Sequence, residues 1–251
     1  MKVRFLGTGH LGGKNRLTSF VVDDHILFDI GYGVITALRE NGLDTADIDF
    51  IVVSHFHPDH LGDIAYFLYR RKGKYENKPV TIIGPAGTKA MIKKLYRAFQ
   101  YDPEEEDELR FFGMENVKFV ELGNNEVYDN GQSEFSVRAF DTAHSRTLTC
   151  NGYILTENGV TLGYTGDSSL CEGFRSNLGN AQVWIVDAAH LNSNTAYQQS
   201  AHMRHMTLGQ VAALARRYKS KRFYTVHRQD YPALCPVPNV FFPKDNEIIK
   251  I

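Results

Sequence analysis

Apolar positions recur in two rhythms along the chain: short runs with strand character, and longer segments spaced at helical intervals. Val3–Leu6, Ser19–Val22 and Ile26–Asp29 read as strands, with Asp23-Asp24 turning between the last two. Gly33–Glu40 reads as a short helix stopped at Asn41-Gly42. Phe50–Val53 is a continuous apolar run, the mark of a strand buried on both faces. In Thr88–Phe99 the residues Ile92, Leu95, Tyr96 and Phe99 fall at i, i+3, i+4 and i+7, one face of an amphipathic helix. Leu208, Val211, Ala212 and Ala215 give Thr207–Tyr218 a similar face, and Thr207 with Gln210 fits a capping box there. Tyr153–Thr156 and Thr161–Tyr164 flank Glu157-Asn158-Gly159-Val160, whose Asn-Gly pair predicts a tight hairpin. Val183–Val186, Arg222–Val226 and Ile248–Ile251 complete the strands. Hairpin sets with single interspersed helices predict an α/β fold of two facing mixed sheets with helices outside, not a regular parallel array. No low-complexity linker divides residues 1–251, so one domain is expected.

The chemistry is concentrated just after Phe50–Val53, in Ser54-His55-Phe56-His57-Pro58-Asp59-His60. Three imidazoles and a carboxylate so close together are poor core material, because each ring needs a partner and protonated neighbours repel. A divalent metal removes the difficulty, since neutral His and ionised Asp are its ligands at neutral pH. His55 and His57, two apart in an extended segment, point the same way and can share one ion. Pro58 then bends the chain so that Asp59 and His60 can face a second ion.

This H-x-H-x-D-H motif resembles that of the metallo-β-lactamase superfamily of dinuclear metal hydrolases, and the likeness runs in order along nearly the whole chain. Phe5-Leu6-Gly7-Thr8-Gly9, Arg16, Ser19 and Leu27-Phe28-Asp29-Ile30-Gly31 are similar to the opening of its ribonuclease Z-like branch. The resemblance implies a four-layer αββα sandwich. It also implies one metal on His55, His57 and His144, a second on Asp59, His60 and His227, and Asp167 of Tyr164-Thr165-Gly166-Asp167 as the bridge. His144, Asp167 and His227 each end or follow a strand-like run, so convergence at one sheet edge is physically reasonable. Two such ions share a hydroxide, lower its pKa and clamp an electrophilic phosphorus or carbonyl, which gives Asp59 and its neighbours a catalytic part. With only N and O donors, two divalent ions are expected, zinc first, with manganese or iron as alternatives.

His205-Met206-Thr207 is similar to the His-x-Thr element that ribonuclease Z-like phosphodiesterases place at the scissile phosphate. A histidine there can give a proton to a leaving oxygen, and the positive helix end favours phosphate. His202 is a weaker candidate for the same surroundings. Asp187, in Val186-Asp187-Ala188-Ala189-His190, stands where that branch has His-Glu-Ala-Thr and is expected to orient His205, with His190 read as local surface. Asp29 is expected to support the His55–His60 loop, and His10 to line the cleft. Gly7-Thr8-Gly9-His10-Leu11-Gly12 matches G-x-G-x-x-G, but a strand follows instead of a helix, so a dinucleotide site is rejected.

The branch's short enzymes carry a transfer-RNA arm between the positions matching His144 and Asp167. Here only 23 positions separate them (167 − 144), most of them spent on the hairpin. Arg70, Arg71, Lys72 and Lys74 form the alternative basic patch, or a solvated helix end. RNA is therefore the disfavoured substrate, and a small or cyclic phosphodiester or nucleotide-like substrate the favoured one, with lactone or carboxyl-ester hydrolysis and transfer-RNA 3′-end cleavage as alternatives. A metal-bearing binding protein without turnover is the non-enzyme rival.

Composition adds limits. With 28 Lys+Arg against 29 Asp+Glu the net charge is −1, which excludes a generally basic nucleic-acid binder. No apolar stretch approaches the ~18 residues of a membrane span, the N-terminus lacks signal-peptide character, and the 3 cysteines are sparse and unpaired in spacing. A cytoplasmic location is the expectation. Homodimers are common in the resembled family. The acidic run Asp102–Glu108 reads as a solvated loop.

Overall fold

The computed structural model describes residues 1–71, 78–99, 114–131, 135–191, 204–229 and 237–251. Lys72, Lys74, the acidic run, His202 and Cys235 lie outside the described residues. In chain order the strands are β1 (Lys2–Gly7), β2 (Ser19–Val22), β3 (Ile26–Phe28), β4 (Phe50–Val52), β5 (Val80–Gly84), β6 (Val117–Glu121) and β7 (Val127–Asp129). They continue as β8 (Ser136–Asp141), β9 (Asn151–Glu157), β10 (Val160–Tyr164), β11 (Val183–Asp187), β12 (Arg222–Val226), β13 (Val240–Phe241) and β14 (Ile248–Lys250). The helices are α1 (Val34–Glu40), α2 (Pro58–Leu61), α3 (Ile64–Arg71), α4 (Thr88–Ala98), α5 (Glu172–Asn177) and α6 (Leu208–Arg217).

Two seven-stranded sheets result, ordered β14-β1-β2-β3-β4-β5-β6 and β13-β12-β11-β10-β9-β8-β7. Each follows three antiparallel pairings with three parallel ones, so both are mixed, as the alternation of hairpins and helices predicts. Side-chain alternation assigns the layers. Ile26 and Phe28 of β3 enter the inter-sheet core with Val183 and Ile185 of β11. Leu27 faces outward to α1, α3 and α4, while Trp184 and Val186 face outward to α5 and α6. Helix, sheet, sheet and helix therefore stack in four layers.

Local chemistry sets the boundaries. The Asn158-Gly159 turn has both residues at positive φ (50° and 75°) and closes β9 onto β10 through the Glu157–Val160 pair. Thr207 caps α6 with the anticipated capping box: its hydroxyl accepts from the Gln210 amide and the Gln210 carbonyl oxygen from the Thr207 amide. β3 stops at Phe28, one residue short of the sequence expectation, because Asp29 turns to φ 55°. Strands β5 to β8 are not among those singled out from the apolar pattern.

The basic patch needs correction. Arg71 is 5% exposed, and its guanidinium donates to the backbone carbonyls of Thr45, Ile48, Lys78 and Pro79. Arg70 lies 3.3 Å from Asp44. An arginine fork reaches several carbonyls at once, and this one ties α3 to the segments leading into β4 and β5 instead of facing a polyanion.

Candidate metal centre

The site sits beyond the carboxyl ends of β3, β4, β8, β10, β11 and β12, the edge where ligands gather in open α/β sheets. After β4 the chain stays extended through His57, which precedes Pro58 at the first position of α2 (φ −67°, ψ 151°). Proline fixes that first helical residue. The bend puts Asp59 and His60 on the first helical turn while His55 and His57 remain on the extended arm. Two glycines permit the packing: a Cβ on Gly31 would enter the Asp59 carbonyl, and one on Gly166 would lie 2.7 Å from the Ser54 Cβ. His227, like Asp29, holds a left-handed backbone (φ 55°), an uncommon state that recurs at functional sites.

All seven residues of the expected ligand set converge. His55 Nε2 and His144 Nε2 lie 2.9 and 3.1 Å from His57 Nδ1. Asp59 Oδ2 lies 3.7 Å from His60 Nε2 and 3.4 Å from His227 Nε2. Asp167 Oδ2 stands between the groups, 3.3 Å from His60, 3.2 Å from His227, 3.7 Å from His144 and 3.9 Å from His55. His55, His57 and His144 form one cluster of ligand-capable atoms, and Asp59, His60, Asp167 and His227 another.

Neighbouring groups fix the tautomers. The Ser54 hydroxyl donates to Asp29 Oδ2, so it accepts from His55 Nδ1 at 3.0 Å. His144 Nδ1 donates to the Arg204 carbonyl at 3.0 Å, and His60 Nδ1 to Asp29 Oδ2 at 2.8 Å. In its neutral form each of these rings turns a bare Nε2 inward. Asp29 itself is fully buried and also accepts from the Ser54 amide (2.7 Å) and the Tyr164 hydroxyl (2.6 Å). It therefore lies beneath the histidine loop, bonded to Ser54 and His60. Ser54, Tyr164 and the Arg204 carbonyl are additions; Tyr164, three residues before Asp167, is the one whose position in the sequence gives a hint.

The electrostatics call for a cation. Burial, reinforced by His60, holds His55 well below its ordinary pKa, and burial also lowers His144. Burial opposes charge on Asp167, yet His227 and His60 outweigh it and keep its carboxyl well below the usual range. At His60 burial is likewise overcome, by Asp167 and Asp29, which raise its pKa. Bare imidazole lone pairs about 3 Å apart beside buried carboxylates repel unless positive charge stands among them. The Nε2 of His60 is buried without a hydrogen-bond partner. This donor set fits divalent metal, with imidazole nitrogens and carboxylate oxygens as its ligands.

A cavity of about 510 Å³ opens over the cluster. Beyond the ligand set, its lining includes His10, Leu11, Ala189, His190, His205 and Gln229. His190 is thus part of the cleft wall, where the sequence alone suggests local surface, and Gln229 joins it without a sequence signal. His205 stands two residues before the α6 cap, and its Nδ1 meets Asp187 Oδ2 at 2.7 Å. Asp187 is fixed by the amides of Ser168 (3.0 Å) and Ala189 (2.9 Å). Burial disfavours the His205 imidazolium, but Asp187 and then Asp167 outweigh it and raise its pKa to about 9. The His205 ring stacks on His227 with centroids 5.0 Å apart.

A family model described as a β-lactamase superfamily domain matches residues 25–228. The chain belongs to this superfamily. Like its relatives, this superfamily member is a metal-dependent hydrolase. It is 24% identical to a ribonuclease Z of Thermococcus onnurineus, over 99% of this chain and 94% of that one. Its fold is that of the human short-form tRNase Z (TM-score 0.74, 22% identity, covering 100% and 99% of the two chains). A diphosphatase from the PhnP family superposes equally well (TM-score 0.74, 17% identity, covering 100% and 97%). Among the described residues no helix of this superfamily member is long and apolar enough to cross a membrane.

Proposed function

We propose that the chain is a dinuclear metal-dependent phosphodiesterase acting on small phosphodiesters. In this reading His55, His57 and His144 hold one divalent ion, zinc first; Asp59, His60 and His227 hold the other; and Asp167 serves both. Ions bound there supply a lowered water pKa and offset the charge of the phosphoryl oxygens. Ligands drawn from both sheets support reading 1–251 as one domain.

The His205–Asp187 pair carries the assignment to phosphorus. Asp187 takes the Nδ1–H and fixes the ring, leaving Nε2 for the leaving group. As the water oxygen bonds to phosphorus and the P–O bond to the leaving group breaks, a proton on Nε2 passes to the departing oxygen. Ribonuclease Z and diphosphatase relatives both support phosphoester chemistry. Size favours small substrates over transfer RNA: the cavity has the volume of small-molecule sites. The segment between His144 and Asp167 is taken up largely by the tight β9–β10 hairpin, with no projecting arm.

Hydrolysis of bis(p-nitrophenyl) phosphate beside a lactone panel, by protein reloaded with zinc, manganese or iron, tests the reading. It predicts metal-dependent phosphodiester turnover that falls by about 10²-fold or more in His205→Ala. Lactone turnover that exceeds it and ignores His205 would replace this reading with ester hydrolysis.

A further inference from the structure

The outer nitrogens of His55, His60 and His144 are each engaged, by Ser54, Asp29 and the Arg204 carbonyl. His227 breaks this pattern. Its Nε2 lies 3.4 Å from Asp59 and 3.2 Å from Asp167, while its Nδ1 is buried without a hydrogen-bond partner among the described residues. A histidine that binds metal through Nε2 carries its proton on Nδ1, so this orphan is a donor. A buried N–H left unsatisfied is unfavourable, and without an outer partner neither the tautomer nor the ring orientation is fixed.

The rings around His227 narrow the choice of acceptor. His60 commits Nδ1 to Asp29 and turns Nε2 to the cluster. His205 commits Nδ1 to Asp187 and stacks on His227 at an interplanar angle of 12°, which offers a ring face and not a lone pair. His10 is the third ring, with its centroid 5.7 Å from that of His227 and its plane tilted by 47°. Its Nε2 is also buried without a partner. The His10 ring bonds to the Leu11 backbone, a contact that favours an N–H there, so the nitrogen left over, Nε2, is an acceptor in the neutral ring. One sealed donor and one sealed acceptor thus lie on adjacent rings.

The backbone keeps the two side by side. Gly9 bridges Arg228 in parallel register, and the Arg228 amide donates to the Thr8 carbonyl at 3.2 Å. The Thr18 hydroxyl donates to the Gly9 carbonyl (2.8 Å) and accepts from the His227 amide (3.0 Å). The loop after β1 is therefore joined to the chain after β12, with His10 and His227 flanking the seam.

We propose that His10 is the positioning residue for His227: its Nε2 accepts the His227 Nδ1–H and so fixes the tautomer that leaves the His227 Nε2 bare for metal. The inference rests on the reading in which Asp59, His60 and His227 hold one ion. His10 acts through His227 and handles no bond of the reaction.

The test compares zinc-reloaded protein with His10→Ala and His10→Gln, by chelator competition and by the imidazole N–H resonances of isotope-labelled histidine. The parent shows a slowly exchanging N–H for His227 beside those of His55, His60 and His144. In His10→Ala that resonance is lost, and one of the two ions binds about 10- to 100-fold more weakly, the usual effect of removing a partner behind a ligand. His10→Gln, whose amide oxygen accepts the same proton, restores part of both. Unchanged affinity with the His227 N–H still protected, or a loss that His10→Gln shares in full, overturns the pairing. A parent protein that holds fewer than two ions overturns the dinuclear reading instead, and the pairing then stands or falls on the His227 resonance in that same protein.

Discussion

The Asp29 carboxylate holds His60 from beneath, with Oδ2 at 2.8 Å from Nδ1 and both side chains fully buried. One carboxylate thereby fixes the ring at the centre of the cluster and, through Ser54, the His55 ring beside it. Asp29→Asn keeps the shape but offers the wrong group to at least one of the donors. Chelator competition should show metal affinity lowered by about 10- to 100-fold, the usual loss when a partner behind a ligand is changed. Unchanged affinity would mean that His60 is oriented by packing alone.

His205 depends on Asp187 in the same manner, but it is not in the ligand set of the proposed reading. Asp187→Asn should therefore lower kcat for bis(p-nitrophenyl) phosphate by about tenfold or more, with bound metal retained. Metal content by mass spectrometry alongside the kinetics separates the two effects. Equal loss of metal and rate would place Asp187 among the groups that hold the ions.

The buried Arg71 carries a stability role instead of a binding one. Arg71→Met keeps the aliphatic stem but abandons four carbonyls. A loss of about 2–4 kcal/mol in urea unfolding is expected, with metal content intact. A fully stable variant would contradict the assignment of Arg71 as the tie between α3 and the strands beside it.

Thr207 links local structure to the site. Thr207→Ala removes the α6 capping box two residues from His205. The cost is about 1 kcal/mol, a fall of roughly 2–4 °C in Tm for a chain of this size. Thermal melting checks it, and a variant with the parent Tm would show that the cap adds nothing beyond the packing of α6.

Much of this was legible because the chemistry is local or lies at strand ends. The His55–His60 motif fixes its own geometry through Pro58, and the Asn158-Gly159 turn and the Thr207 cap are set by two to four residues each. His144, Asp167 and His227 are distant in sequence, and it was the family resemblance that joined them to the motif. What stayed hidden depended on tertiary contact alone. Arg71 looks like any basic residue at a helix end until the carbonyls of Thr45, Ile48, Lys78 and Pro79 close around it. His190 looks like a loop residue until its bridge to Thr207 turns it into the cavity. β7, three residues with partly exposed side chains, has too little apolar contrast to stand out.

Metal stoichiometry measured together with turnover tests the central claim most directly. Reloaded protein should hold two divalent ions per chain and hydrolyse bis(p-nitrophenyl) phosphate, and Asp167→Ala should lose ions and turnover together. Full hydrolysis by metal-free protein, or an Asp167→Ala variant with undiminished metal and rate, would contradict the account.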